Sequence, residues 1–267
     1  QKINIVWFKR DLRLSDHQPL KSAFDTGLPT LLIYNFEPLL LEDAHYNERH
    51  WRFVYQSIVD LNSQLARFNA KVYTFNENMQ TLLQKLNEQF EISYIFSHQE
   101  IGLNNTFERD LAIKAWCHNN HINWQESPTG AVIRGKKNRD NWNERWQKTM
   151  QAPLAIPNWK NVNSVKLKNY KNPELPETYT QDDDNFQQGG PLHAREVMQS
   201  FFTQRGKGYQ KGISSPSLSR THCSRLSPYL AWGNISLRQV YQTAIDAYHS
   251  NHPDKKGWKR PLAAFVS

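Results

Sequence analysis

The chain has 267 residues, of which 38% are hydrophobic and 12% aromatic, a composition typical of a folded globular protein and not of a disordered one. Its formal net charge of +8 and its pI near 9.4 favour a polyanionic partner such as nucleic acid, because clustered Lys and Arg displace counterions from phosphates. The two cysteines are far apart and no apolar run reaches about 18 residues, so we expect a cytoplasmic protein without disulfides or a metal site that neither enters a membrane nor is secreted.

The first 127 residues alternate short β-rich apolar runs with longer segments of helical period. Five runs predict strands: 3–8, 30–36, 71–75, 92–97 and 122–127. The segments between them predict helices: 17–26, 46–68, 78–89 and 104–119. Strands that alternate with helices across short loops indicate a doubly wound, mainly parallel five-stranded sheet, so we interpret residues 1–127 as an α/β domain.

A different composition begins after Ser127. Residues 128–190 are rich in Pro, Asn, Lys and Asp and predict an interdomain connector on the surface, outside both domain cores. Pro191 suits the first position of a helix, and residues 191–267 are helical in pattern throughout, which indicates the beginning of an all-helical domain. Because the chain starts at Gln1 and stops inside an apolar stretch, we expect it to be incomplete at its carboxyl end.

The loop after the first strand, "KRDLRLSDHQPL" (9–20), contains no glycine. A dinucleotide fingerprint needs glycines there so that the backbone can approach a pyrophosphate, and the loop therefore argues against a Rossmann-type cofactor on this sheet. We expect Arg10, Asp11 and Arg13 to pair with one another or with the second domain.

The stretch "RGKKNRDNWNERW" (134–146) interleaves basic residues with Trp142 and Trp146. This composition is used where phosphates are neutralised and bases stack on aromatic rings. A solvated loop followed by a short packed helix explains the same residues and is the preferred interpretation, because charge runs are common on protein surfaces.

The stretch "SRLSPYLAWGNIS" (224–236) contains two helix starts. Ser227 before Pro228 predicts an N-cap, and Gly233 predicts a left-handed end of the short helix. Ser236 and Gln239 form a predicted capping box. These roles leave Ser224 and Arg225 unexplained, and hydroxyls with an arginine just before a helix indicate a diphosphate site.

With "VWFKRDLRLSDHQPL" (6–20) and "HQEIGLNNTFERD" (98–110), this stretch resembles the photolyase/cryptochrome flavoproteins over the whole chain. In that family a tyrosine and a Thr-Ser-Arg-Leu-Ser run bind the FAD diphosphate in the helical domain. Cys223 takes the place of the threonine, and a thiol is a poor donor, so only its backbone N–H is expected to contribute. The resemblance implies these FAD-binding residues: Tyr209, Cys223, Ser224, Arg225, Leu226 and Ser227.

The resemblance also implies a function. It implies a DNA photolyase, acting as a monomer on damaged DNA, which splits pyrimidine dimers by electron transfer from photoexcited reduced FAD. The alternative is a cryptochrome, a light-signalling protein on the same scaffold without repair activity. The α/β domain of this family often carries a second, antenna chromophore of varying identity, and we expect capping and surface pairing from the residues in the corresponding region: Glu100, Asn104, Asn105 and Glu108. No catalytic residue is assigned, because the electron-transfer residues come later in the family's chains.

Overall fold

The computed structural model describes residues 1–249 and 255–266. Five strands form one sheet, in which every neighbouring pair is parallel and the order is β3-β2-β1-β4-β5. The strands are β1 (Lys2–Phe8), β2 (Thr30–Asn35), β3 (Val72–Phe75), β4 (Glu91–His98) and β5 (Asn123–Ser127). The α/β fold is therefore confirmed, with each predicted strand within one residue of its observed bounds.

Helices cover both faces of this sheet because alternate side chains of the central strand point to opposite sides. Ile3, Ile5 and Trp7 belong to one buried cluster, and Val6 and Phe8 belong to the other. The helices of this part are α1 (Gln18–Asp25), α2 (Pro38–Leu41), α3 (Glu48–Leu65), α4 (Met79–Gln89) and α5 (Asn104–Asn119). The four long ones match the predicted helices, and a 3-10 turn, Ala66–Phe68, extends α3.

The connector contains α6 (Trp142–Gln151), a 3-10 turn (Trp159–Asn161) and α7 (Glu177–Thr180). Most of it is exposed, but Met150 and Val165 are buried. Thr30 of β2 donates to the Asn163 carbonyl at 2.7 Å, and the Val165 N–H donates to the Thr30 carbonyl at 3.0 Å. The connector thus adds a β-bridge to the sheet and an apolar side chain to its core. The expectation of a connector outside both cores is wrong at Val165.

The described residues after the connector form short helices joined by loops: α8 (Pro191–Thr203), a 3-10 turn (Arg205–Gly208), α9 (Tyr209–Gly212), α10 (Ser219–His222), α11 (Ser227–Ala231), α12 (Leu237–His249) and α13 (Lys255–Val266). Their apolar side chains join the core of the α/β part. Tyr229 packs on Phe53 with ring centroids 5.3 Å apart, and Trp232 packs on Trp51 at 5.7 Å. One buried cluster therefore runs from the sheet into the helical part. Among the described residues, no helix is both long and apolar enough to span a bilayer.

Candidate functional site

Two glycines allow the helices around Tyr209 to approach closely. A Cβ on Gly208 would lie 1.5 Å from a ring carbon of His222, and one on Gly212 would lie 2.4 Å from the His222 Cβ. A Cβ at Gly212 would clash with the Cβ of His222, whereas a Cβ at Gly208 would require the His222 ring to move. The close crossing of α9 over α10 brings Tyr209, which begins α9, near Cys223, which follows α10.

Arg205 fixes the backbone that follows α10. Its guanidinium donates hydrogen bonds to the carbonyl oxygens of Cys223 and, at 3.2 Å, Ser224. The same group is anchored to α8, through the Ser200 hydroxyl at 2.7 Å and the Val197 carbonyl at 2.9 Å. Nothing in the sequence pattern marks Arg205, because its partners are set by the tertiary fold. It is a positioning residue that sequence reasoning missed.

Arg225 has a left-handed backbone with φ of +59°, which is uncommon for a residue with a Cβ. Leu226, the next residue, is right-handed helical with φ of −86° and ψ of −8°. A residue with left-handed backbone dihedrals next to one with right-handed dihedrals turns the neighbouring backbone N–H groups to the same side. These N–H groups form a concave site that can bind an anion. Gln187 donates to the Arg225 carbonyl at 3.0 Å and stabilises this turn. Such an outlier costs about 1–3 kcal/mol and is typical of ligand-binding sites.

The side chain of Arg225 adds positive charge at the same place. Within residues 1–249 and 255–266 its half-buried guanidinium makes no hydrogen bond and no ion pair. Burial lowers the pKa of Arg205, and the positive charge of Arg225 lowers it further, which shows that the two cations are close. Two cations and converging N–H groups suit a diphosphate.

The predicted helix caps are confirmed in part. Ser227 is the first residue of α11, and the cap is Leu226, which makes no capping hydrogen bond and is 1% exposed. The prediction of Ser227 as N-cap is wrong because Leu226 already has helical dihedrals, so the helix starts earlier. The hydroxyl of Ser227 is exposed as a result. The capping box of Ser236 and Gln239 is confirmed, with bonds of 2.9 and 3.0 Å.

Cys223 differs from the expectation. Its backbone N–H donates to the Ser219 carbonyl at 3.1 Å and ends α10, so this N–H is not available to a ligand, and the prediction that it contributes is wrong. Tyr209 is half-buried, and its ring makes edge contacts with Phe201 at 5.7 Å and Phe265 at 5.6 Å. Burial, and then the nearby Cys223, raises the pKa of Tyr209, so its hydroxyl remains a hydrogen-bond donor at neutral pH.

The glycine-free loop binds the helical part to the sheet. Arg10 donates to the Ala231 carbonyl at 3.0 Å, and Arg13 donates to the Gly233 carbonyl at 3.2 Å. Gly233 has φ of +68°, as predicted, and a Cβ there would lie 2.3 Å from the Arg10 carbonyl oxygen. The expectation that these arginines pair with the second domain is confirmed.

Asp11, His17 and His98 form a buried cluster of metal-ligand residue types. His98 Nδ1 lies 2.6 Å from the Asp11 carboxylate, and His17 Nε2 lies 3.0 Å from it. However, His17 Nδ1 accepts the backbone N–H of Leu20 as the cap of α1. Neutral His17 therefore carries its proton on Nε2 and cannot give that lone pair to a metal. The cluster is better suited to hydrogen bonding than to metal binding.

The comparisons with known proteins agree on one family. The profile of the DNA photolyase family matches residues 4–150. A cryptochrome DASH of Synechocystis is 28% identical over 102 residues, which is 36% of this chain and 21% of that protein. A deoxyribodipyrimidine photo-lyase of Alkalihalophilus pseudofirmus is 23% identical over 265 residues, which is 92% of this chain and 54% of that protein.

Comparison of the structure with solved structures finds members of the same family. The crystal structure of a photolyase from the archaeon Sulfolobus tokodaii superposes with a TM-score of 0.71 at 17% identity, covering all of this chain and 60% of that one. That protein is described with two FAD molecules and with the implication of a novel light-harvesting cofactor. This chain thus spans about half the length of the photo-lyase that it matches throughout.

Proposed function

The chain belongs to the DNA photolyase family, whose profile covers more than half of it, and we propose that the complete protein is a deoxyribodipyrimidine photolyase. This lyase uses FAD and light to repair pyrimidine dimers in DNA. The single observation that carries FAD binding is the left-handed backbone of Arg225, whose guanidinium has no partner in the described part of the chain, at the position where the family binds the flavin diphosphate.

The residues present fit an FAD diphosphate. The N–H groups around Arg225 and its guanidinium would bind the phosphate oxygens, while Arg205 keeps that backbone in place through the carbonyls behind it. The exposed Ser227 hydroxyl and the protonated Tyr209 hydroxyl are further donors, and Ser224 lies in the same turn. The side chain of Leu226 is buried in the core, and its backbone N–H, which donates to the Ser224 hydroxyl at 3.5 Å, would exchange this long bond for one to a phosphate oxygen.

Bound, fully reduced FAD supplies the electron that splits a dimer after light absorption. The task of this chain is to fix the flavin at one end and to bind the sheet to the helical part. Damaged DNA is the proposed partner, because a dimer is already badly stacked and costs less to turn out of the duplex than an intact base. The exposed basic residues of the connector, Lys136, Lys137 and Arg139, support a polyanionic partner. We place the protein in the cytoplasm, as a monomer.

A cryptochrome is the second candidate, favoured by the match to the Synechocystis cryptochrome DASH. A repair assay separates the two. Reduced complete protein is illuminated with duplex oligonucleotides that contain either a cyclobutane dimer or a (6-4) photoproduct, and intact thymines are counted. Repair of one lesion in light but not in darkness is expected. A preparation that binds FAD and DNA but leaves both lesions untouched would favour the cryptochrome.

The flavin site is tested separately. Arg225→Ala removes a charged hydrogen-bond donor, which typically costs about 1.5–3 kcal/mol, or roughly tenfold to a hundredfold in affinity. The complete Arg225→Ala protein should lose FAD on dialysis and keep its melting temperature in the apo form. Normal FAD retention would remove Arg225 from the site.

A further inference from the structure

The order of the strands locates the place where a second ligand would be expected on the α/β part. Ligands of open parallel sheets bind outside the carboxyl ends of the strands, at the point where the strand order reverses. In this sheet the order reverses between β1 and β4. Lys9 follows β1 and Glu100 lies just beyond β4, so both residues border this crevice. An antenna chromophore, which the family often carries, needs free space there.

The side chain of Arg109, on α5, lies in the crevice and forms ion pairs there. Its guanidinium donates to Glu37 at 2.5 Å, to Glu100 at 2.6 Å and to Asp110 at 2.8 Å. All four side chains are less than 10% exposed. Lys9 donates to the same Asp110 carboxylate at 3.2 Å. Two cations and three carboxyl groups therefore pair with one another without a ligand, although Oε2 of Glu37 has no hydrogen-bond partner among the described residues.

The aromatic surface in the crevice is covered as well. The Lys9 ammonium lies 4.1 Å from the centroid of Trp7, and the Arg109 guanidinium lies 4.8 Å from it. Trp124 packs against the same indole at 5.9 Å. A planar chromophore binds by stacking on such a ring and by hydrogen bonding to nearby polar groups. Both kinds of contact are already used by the chain itself.

The remaining space is too small for a chromophore. Among the described residues the crevice beside Arg109 leaves a cavity of about 10 Å³, bordered by Tyr34, Leu40, Tyr46 and Trp232, which is room for one water molecule. A neighbouring pocket of about 210 Å³, lined by Lys9, Glu100 and Leu230, is smaller than the roughly 300 Å³ at which ligand pockets usually begin. We infer that the protein's own ion pairs close this crevice and that no antenna chromophore binds in it. A ligand could not simply displace Arg109, because Glu37, Glu100 and Asp110 would then remain buried without their partner.

Polar side chains of α5, the helix beside the crevice, also have partners within the chain. Asn104 donates to Glu108 at 2.7 Å, and Asn105 donates to Asp43 at 2.8 Å. With Glu100 paired to Arg109, the four residues of the antenna region are engaged within the chain. The expected pairing is confirmed, but the expected capping is wrong, because the N-cap of α5 is Leu103, which makes no side-chain capping bond, and Glu100 pairs in a buried position.

The test counts chromophores on the complete protein. The purified protein is denatured, and the released FAD, FMN, folate and deazaflavin are quantified. The native protein is then incubated with an excess of each of the four compounds, desalted and quantified again. We expect one FAD per chain and no second chromophore before or after loading. Leu40→Trp, which fills the residual cavity, should leave this content unchanged. If that variant fails to fold, the unmodified protein decides the question.

A second chromophore at one per chain would be located by a crystal structure of the loaded protein. Its presence between Lys9 and Glu37 would overturn the inference. Its presence elsewhere, as in the groove of about 630 Å³ between Trp142 and Leu237, would leave the crevice closed and support it. The inference does not depend on the proposed FAD site. Failure of that site would appear as the loss of the single FAD, whereas failure of the inference would appear as an additional chromophore located in the crevice.

Discussion

The Nε2 atom of His17 lies 3.0 Å from the carboxylate of Asp11, and both side chains are buried. The backbone of Asp11 belongs to the loop that binds the helical part, and its carboxylate accepts the backbone N–H of Lys9 at 2.7 Å. Burial opposes ionisation, but His17 and His98 hold the pKa of Asp11 well below its usual range. An ionised Asp11 between two neutral histidines therefore organises this loop at neutral pH.

The first prediction concerns acid stability. Burial lowers the pKa of His17 to about 4, against the attraction of Asp11. An unfolded histidine titrates near 6.5, so the folded state resists protonation, and stability present above pH 6.5 is lost as the pH falls toward 4. His17→Asn can accept the Leu20 bond without titrating. Between pH 6.5 and pH 4 we expect the free energy of unfolding to fall in both proteins. The fall should be smaller in the His17→Asn variant than in the unmodified chain, by up to about 3 kcal/mol.

Urea unfolding at several pH values measures this difference. Glu37 has the opposite effect, since burial raises its pKa to about 7 and makes the folded state bind a proton more readily. The comparison of His17→Asn with the unmodified chain cancels this contribution. His118→Asn, at an exposed position, supplies the control for the loss of one imidazole. Identical pH profiles for all three proteins would contradict the prediction.

The second prediction concerns Gly233. Its φ of +68° disfavours a side chain, and an added Cβ would lie 2.3 Å from the Arg10 carbonyl oxygen and 2.5 Å from the Asp11 Cα. We expect Gly233→Ala to lower the free energy of unfolding by about 2–4 kcal/mol, from backbone strain together with a clash between two backbones. Urea denaturation of the chain measures the loss.

Gly27 is a matched control because its φ is +72° and nothing lies within 4 Å of its added Cβ. Gly27→Ala should lower the free energy of unfolding only by the cost of the left-handed backbone, about 1–2 kcal/mol. Equal losses in the two variants would mean that the close approach of Gly233 to Arg10 contributes nothing to stability.

The third prediction concerns Arg205. Lysine keeps the charge but cannot reach α8 and both carbonyls of the 223–224 backbone at once. In the complete protein we expect Arg205→Lys to weaken FAD binding at least about tenfold, since one lost hydrogen bond to a charged group is worth about 1.5–3 kcal/mol. Equilibrium dialysis measures the affinity. Arg195→Lys also loses a bond to the backbone of α8, at Pro191, and one to Gln64 of α3, and should bind FAD normally.

The sheet and its helices were predictable because their signals are local. Strand β1 alternates its apolar side chains between two faces, and α3 repeats them every three or four residues, so each pattern is contained within its own element. The capping box of Ser236 and Gln239 is local in the same way. Such features can be found without knowledge of the tertiary fold.

The geometry of the candidate site was not predictable in full. The left-handed backbone of Arg225 is stabilised by Gln187, which is 38 positions away in the sequence. Arg205 acts on Cys223 across 18 positions, and no spacing rule describes such a pair. Val165 enters the core by a single β-bridge within a polar segment. Resemblance to a family indicated which residues matter, but the contacts that position them arise only from the tertiary structure.

The last prediction tests the connector as a DNA contact. Lys136 and Lys137 are exposed, and Trp142 is 39% exposed, whereas Met150 of α6 is buried and Trp146 packs on Tyr241, so the preferred solvated loop and short packed helix are present. If this surface binds DNA, the contribution of charge and the contribution of base stacking should be distinguishable in the binding data. Replacing both lysines by Gln should reduce the log–log salt slope of DNA binding by up to about 1.8, at 0.9 per phosphate contact. Trp142→Ala should weaken binding by about 1–3 kcal/mol at an unchanged slope.

The matched control removes the same charge elsewhere on the connector, where Lys168 and Lys171 are also exposed. Fluorescence anisotropy of a labelled dimer-containing duplex, titrated with the complete protein at several salt concentrations, measures each slope. Since net charge changes equally in both double variants, a general loss of attraction would lower the two slopes alike. Only a direct contact lowers the slope for Lys136 and Lys137 alone. Equal slopes for the two variants would therefore mean that the connector is a solvated surface and that DNA binds elsewhere.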